Sequence, residues 1–385
     1  MRILCVYATR QIDSNLFMSS TVFNGLQKAG FETDMVFWGY PSVCDIFKVR
    51  YERYFRRVFY QQVNESWLKK TMGKNSFTRV LYSFYRSFLV DYLKRPYILE
   101  DFREFIFDDY DVVLSFIPPA VSGYLAKDIR DNYCSSARLI QFWTDPLSLG
   151  GCNYVSDIPR TRKLHLTIEK ELLSYADKAV FCYPLLAKME KELHPEYTNK
   201  ITWSDVGYVE HPEYAELSPA RKSTYKVGLF GAFPSTVRNI MPLLSVIKEF
   251  PNVQFLLRGD TDLPMSLFNY PNLDIELKRV PLDEVERLEN ECDILLILGN
   301  KGGIQIPGKV YYYANYPKPL VCICDSVHSQ ELKDYLGPLN RYILCDNNGP
   351  SIMDALKKAI SELPSFTLRV PERLEPEVIA RSLIS

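Results

Sequence analysis

Short apolar runs, each followed by a stretch with helical patterning, recur along the whole chain. They are too short for core helices and do not alternate polar with apolar. They therefore read as strands covered on both faces, which is the pattern of a parallel sheet with helical crossovers. The first set comprises residues 2–8, Thr33–Trp38, Asp111–Phe116, Arg138–Trp143 and Lys178–Cys182, interleaved with helices over Ser19–Ala29, Val121–Asn132 and Thr167–Ala176. Residues 210–225 are polar and carry Pro212 and Pro219, as an inter-domain linker does. The pattern then restarts with Lys226–Phe230, Val253–Leu257 and Asp293–Leu298, with a helix through Phe250 and another over Leu282–Glu291. A last helix runs from Pro376 to Ile384. The reading is α/β throughout: a domain over 1–210, a second over 221–365, and a terminal helical segment over 366–385. A chain of 385 residues accommodates two cores better than one.

A net charge of −1 excludes a general polyanion binder. No stretch approaches the roughly 20 apolar residues that span a bilayer, and the opening Met1–Tyr7 reads as a buried strand rather than a leader. The nine cysteines are scattered. Cys322 and Cys324, two apart in an apolar strand, face the same side of a sheet, and reduced structural thiols in a cytoplasmic protein are expected. The four histidines, His165, His194, His211 and His328, are not spaced as a metal site, so no metal is expected.

Residues 46–98 stand apart. They contain twelve basic residues against three acidic ones, with fourteen aromatics interleaved. Phe47, Tyr51, Tyr54 and Phe55 recur at helical spacing, as do Phe84, Tyr85, Phe88 and Tyr92, which predicts a helical insert over about 46–105. Three readings fit this composition. The helices can lie on an anionic membrane, stack on single-stranded nucleic acid, or pack their aromatics inward and solvate their arginines.

The densest functional signal is Gln305-Ile306-Pro307-Gly308-Lys309-Val310-Tyr311-Tyr312-Tyr313, a Pro-Gly turn leading into a short helix. A helix N-terminus presents free N–H groups and partial positive charge to a phosphate, and Lys309 adds a mobile full charge. This layout resembles the donor-binding segment of GT-B glycosyltransferases, especially the family-four type of bacterial surface-polysaccharide clusters. Val227-Gly228-Leu229-Phe230-Gly231 followed by Arg238-Asn239 is similar to that family's first strand, glycine loop and Arg-Asn helix start in its second domain. Val253 to Gly259 resembles the next strand and its glycine. Trp143-Thr144-Asp145-Pro146 resembles the Asp-Pro turn of the first domain, and Glu169 with Ala176-Asp177 resembles a structural helix end. Each residue also has a plain reading: Gly231 as a turn, Arg238 as a surface arginine, Asp145 as a cap.

The resemblance implies two Rossmann-like domains facing across a cleft. It implies transfer of a sugar, with retention of configuration, from a nucleotide-sugar donor to a glycan or polyprenyl-linked acceptor in polysaccharide biosynthesis. Arg238 and Lys309 would neutralise the diphosphate leaving group. Gly231, Asn239, Gly308 and Tyr312 would line the donor site, and Asp145 would position or deprotonate the acceptor hydroxyl. The protein would then be cytoplasmic or peripheral on the inner membrane face, held there through 46–98, with no nucleic-acid partner. The sequence departs from the family at two places where glutamates are usual: here they are Tyr312 and Ile304. The usual glycine-rich loop after the first strand is also absent between Ala8 and Asn15. These departures keep open a non-catalytic GT-B protein that binds a glycan or a partner. A nucleotide-sugar epimerase, which needs acid/base groups, is disfavoured by the few histidines.

Overall fold

The computed structural model describes residues 1–9, 14–62, 109–149, 159–210, 223–278, 280–302 and 304–385. Residues 10–13, most of the stretch read as a linker, 211–222, and most of the basic insert, from residue 63 on, lie outside them. The chain forms two units, Met1–Gly207 with Arg373–Ser385, and Tyr208–Glu372.

The first unit is built on a seven-stranded parallel sheet in the order β3-β2-β1-β4-β5-β6-β7. Its strands are β1 (Arg2–Thr9), β2 (Glu32–Gly39), β3 (Arg57–Gln62), β4 (Val112–Ile117), β5 (Arg138–Trp143), β6 (Lys178–Phe181) and β7 (Ile201–Trp203). Helices α1 (Ser14–Lys28), α2 (Pro41–Tyr51), α3 (Ala120–Tyr133), α4 (Pro159–Tyr175) and α5 (Pro184–Leu193) make the crossovers. From Ile3 to Ala8 every residue of β1 is buried, as a central strand covered on both faces must be. One side packs Leu4, Val6, Val36, Val113, Leu125, Ile129 and Leu139. The other is aromatic: Tyr7, Phe23, Phe37, Phe47 and Phe116 meet edge-to-face or stacked at centroid distances of 4.0–6.4 Å.

The start of the basic stretch differs from the expected helical insert. Phe47 and Tyr51 do lie on a helix, α2, but residues 57–62 are the edge strand β3, paired in parallel with β2 from Asp34–Arg57 to Gly39–Gln62. The aromatics explain the difference. Phe47, Tyr51 and Phe55 all turn onto Phe23 in the core, and that spacing is reached by a helix followed by a turn as easily as by one helix. Arg56 and Arg57 are partly buried and serve the fold. Both close on Asp34, which is completely buried, at 2.8 and 2.6 Å, and Tyr110 donates its hydroxyl to the same carboxylate at 2.6 Å.

The second unit carries a six-stranded parallel sheet, β10-β9-β8-β11-β12-β13. Its strands are β8 (Tyr225–Phe230), β9 (Val253–Arg258), β10 (Leu273–Glu276), β11 (Ile294–Leu298), β12 (Leu320–Cys324) and β13 (Ile343–Asp346). Its helices are α6 (Met241–Val246), α7 (Leu282–Glu291), α8 (Lys309–Tyr313), α9 (Ser329–Leu336) and α10 (Gly349–Glu362). Leu229, Phe255, Leu257, Leu296, Leu298, Val321, Ile352 and Leu356 share one core.

The final helix, α11 (Pro376–Ile384), belongs to the first unit. It lies against α1 so closely that a Cβ on Gly25 would stand 2.0 Å from the Pro376 carbonyl oxygen. Lys178 donates to the last carbonyls, Ser382 O at 3.1 Å and Leu383 O at 3.2 Å, so a cation meets the negative end of the helix. Arg373 grips Asp205 with two bonds of 2.8 Å just before the helix begins.

Candidate functional site

In an open parallel sheet the crossovers leave a crevice at the carboxyl ends of the two strands where the strand order reverses, and ligands bind there. In the second unit those strands are β8 and β11. The loop after β8 begins at Gly231, with φ of +112°, a left-handed conformation that favours glycine. Gly259, after β9, lies against it: a Cβ there would be 2.1 Å from the Gly231 carbonyl oxygen. Further bonds latch the two loops, among them Gly231 N–H to Arg258 O at 2.9 Å and Phe233 N–H to Asp260 O at 2.8 Å. Ser235 donates both its N–H and its hydroxyl to Asp262 at 2.6 Å, which holds the Asp262 carboxyl below its ordinary value.

Arg238 spans the crevice. Its Nη1 donates to Ala232 O at 2.6 Å, on the β8 loop, and its Nε to Asn300 Oδ1 at 3.3 Å, on the β11 loop. Lys301 N–H closes on Val237 O at 2.7 Å, so the loops from the two strands share one frame. Asn239 is pinned from the other side, where its carbonyl accepts from Asn347 Nδ2 at 2.8 Å and its Oδ1 takes the Met241 N–H at 3.3 Å as α6 starts. Asp325 follows β12 and faces this group. Burial pushes its carboxyl up, against the pull of Asn347, the Asn239 N–H and Lys301. The fold therefore gathers Gly231, Arg238 and Asn239, which the sequence singles out, with Asn300, Lys301, Asp325 and Asn347, which it does not. The missed residues all lie within three residues of a strand's carboxyl end, and that placement was the signal available to find them.

Lys309 is placed differently from the expectation of a mobile charge at a helix start. The Lys309 ammonium is bound to Glu289 of α7, a carboxylate with no solvent exposure. Glu289 also accepts from the Tyr313 hydroxyl at 2.6 Å and the Tyr316 hydroxyl at 2.8 Å. The Lys309 nitrogen sits 4.7 and 4.5 Å from the ring centroids of Tyr312 and Tyr313. Lys318 donates to the carbonyls of Glu289 and Asn290, both at 2.5 Å, and buried Arg341 donates to Ala314 O at 2.7 Å, tying the far end of α8 down. Gly308 has an ordinary helical φ of −56° and its carbonyl starts α8. Tyr312 and Ile304, which stand where the family has glutamates, are both buried.

In the first unit, Asp145 lies just beyond β5 and is half-buried. Its turn is held from three directions: Thr144 N–H to Ile117 O at 2.8 Å, Cys182 Sγ to Thr144 O at 3.0 Å, and the N–H groups of Leu147 and Ser148 to Glu169 Oε1 at 2.7 and 2.8 Å. Burial and then the Asp145 charge push the Cys182 thiol far up, which makes it an inert core thiol.

No protein-family model matches this sequence, and no curated protein matches it by sequence. Solved structures do match its fold over nearly its whole length. Anabaena HepE, in complex with UDP and glucose, superposes with a TM-score of 0.54 at 10% identity, covering 99% of this chain and 95% of that one. The lipopolysaccharide outer core galactosyltransferase WaaB gives 0.52 at 13% identity, covering 100% and 99%. A UDP-N-acetylglucosamine 2-epimerase gives 0.50 at 10% identity, covering 100% and 94%. The two parallel sheets and these likenesses define a GT-B fold.

Proposed function

We propose that the chain is a glycosyltransferase that takes its sugar from a nucleotide-sugar and passes it, with retention, to a glycan or lipid-linked acceptor of polysaccharide biosynthesis. The observation that carries this reading is Arg238, held across the β8–β11 crevice beside the left-handed glycine Gly231. A guanidinium there can fork onto a diphosphate and stabilise it as it leaves, which is where negative charge develops. Lys301, on the adjoining loop, brings a second cation to the same edge. Lys309 takes a different part in this reading: bound to Glu289, it fixes the start of α8 at Gly308. Asp145, on the carboxyl edge of its own sheet, is the group assigned to the acceptor hydroxyl. The acceptor's lipid character rests on the composition of residues 63–98, and the protein would work at the inner membrane face.

The non-catalytic alternative gains support from Glu289, because the pairing that fixes α8 also neutralises the lysine a donor would otherwise meet. A thermal-shift panel of nucleoside diphosphates and nucleotide-sugars separates the two readings. A selective rise with one nucleotide, lost in Arg238→Ala through a weakening on the order of 1–3 kcal/mol, is expected of a working donor site. No rise with any ligand at millimolar concentration would leave the scaffold reading standing.

A further inference from the structure

Three buried side chains of the first unit converge without completing a hydrogen bond among themselves. Glu169 comes from α4, Glu190 from the last turn of α5, and His194 caps that same helix. His194 Nε2 stands 3.6 Å from Glu169 Oε2 and 3.8 Å from Glu190 Oε2. Glu169 and Glu190 have no solvent exposure and His194 has 3%. The facing atoms, Glu169 Oε2, both oxygens of Glu190 and His194 Nε2, all lack a hydrogen-bond partner.

Direct contact would be the ordinary resolution. An imidazole N–H meets a carboxylate at about 2.7–2.9 Å, and these groups stand well beyond that. Two carboxylates set together inside a core also need a counter-charge, and among the described residues neither has a lysine or arginine partner.

We propose that Glu169, Glu190 and His194 bind one divalent cation, with zinc as the best match. The three donor atoms all lie within 4.8 Å of one another. Atoms about 2.0–2.2 Å from one zinc in tetrahedral array stand roughly 3.3–3.6 Å apart, so a small side-chain rotation completes the geometry and leaves a fourth position for water. A dication cancels the charge of two carboxylates around a neutral imidazole, and that ligand set suits zinc and its first-row neighbours rather than calcium. Glu190 and His194 are four residues apart, with the His194 N–H on Glu190 O at 2.9 Å, so one helix turn presents both to the same point. The cation has a structural consequence, since the other oxygen of Glu169 holds the Leu147 and Ser148 N–H groups. Metal binding therefore ties α4 and α5 to the turn that carries Asp145. The site stands independently of the donor-site reading.

The full chain, stripped with chelator and re-loaded, provides the test. One equivalent of zinc should survive gel filtration, and its removal should lower the melting temperature. Glu190→Gln keeps the side-chain shape and should weaken zinc binding at least tenfold while abolishing the zinc-dependent part of the melting temperature. Cobalt(II) added to the unaltered stripped protein should give a visible absorption band of a low-coordinate site at one equivalent. The proposal is overturned if the stripped chain takes up no stoichiometric zinc or cobalt. It is equally overturned if Glu190→Gln folds and keeps the full equivalent, because the metal then sits elsewhere.

Discussion

Arg56 and Arg57 are, in the sequence, two of twelve positive charges in one stretch; in the fold they are the counter-ions of one buried aspartate. Burial alone would raise the Asp34 carboxyl, but hydrogen bonds from Arg56, Arg57 and Tyr110 outweigh it and bring it down to about 2. A carboxyl lowered in the folded state stabilises the fold above its unfolded value and loses that contribution as pH falls through the folded one. The chain should therefore lose on the order of 2 kcal/mol between about pH 4 and pH 2 through this group alone. Asp34→Asn should flatten that part of an acid-denaturation curve, and a curve of unchanged shape would remove Asp34 as its source. Lys309 calls for a different measurement. Removing one partner of a buried pair costs about 3–5 kcal/mol, and the partly exposed lysine belongs at the lower end. Lys309→Ala should lower the melting temperature while leaving nucleotide affinity, read by calorimetry on the folded protein, within a few-fold. A loss of tenfold or more would place the ammonium on phosphate after all.

The elements that sequence patterning found most readily are the central strands, because burial on both faces leaves an unbroken apolar run. Arg138–Trp143 was read with its observed ends, and β1, β4 and β11 lie within a residue or two of their reading. Edge strands were hidden for the opposite reason. In β10 partly buried and exposed residues alternate, Leu273 and Ile275 with Asp274 and Glu276, and in β13 the apolar run is only three residues, Ile343–Cys345, so neither carries the long apolar signal of a central strand. β3 was masked by aromatics that serve the core from a helix, a turn and a strand in succession. The partner of Lys309 lay beyond local reading, because Glu289 reaches it across tertiary structure from a different helix. The same holds for Glu169, whose approach to Glu190 and His194 no spacing rule between histidines could reveal. At this scale, the α1–α11 contact makes a sharp prediction. Gly25→Ala would drive a methyl into the Pro376 carbonyl and should destabilise by about 1–3 kcal/mol, measured by chemical denaturation. Equal stability would mean that the two helices separate without loss.

For the molecule as a whole, the alternation of strands and helices was enough to give the α/β class and the division into two domains, because parallel strands buried on both faces admit few arrangements. The GT-B architecture came from the motif resemblance around Gly231, Arg238 and Lys309, since the alternation alone is shared by many two-domain α/β proteins. The first unit nevertheless draws on both ends of the numbering: Arg373 and α11 complete a body whose sheet ends at Trp203. Synthesis runs in one direction, and all of the second unit is made in between. At about 5–20 residues per second that interval is on the order of 10–30 s. Throughout it, the surface of α1 around Gly25 waits uncovered in the nascent chain, its own closing helix not yet translated. The length of that interval is set by the order of the two units along the chain rather than by the stability of either sheet.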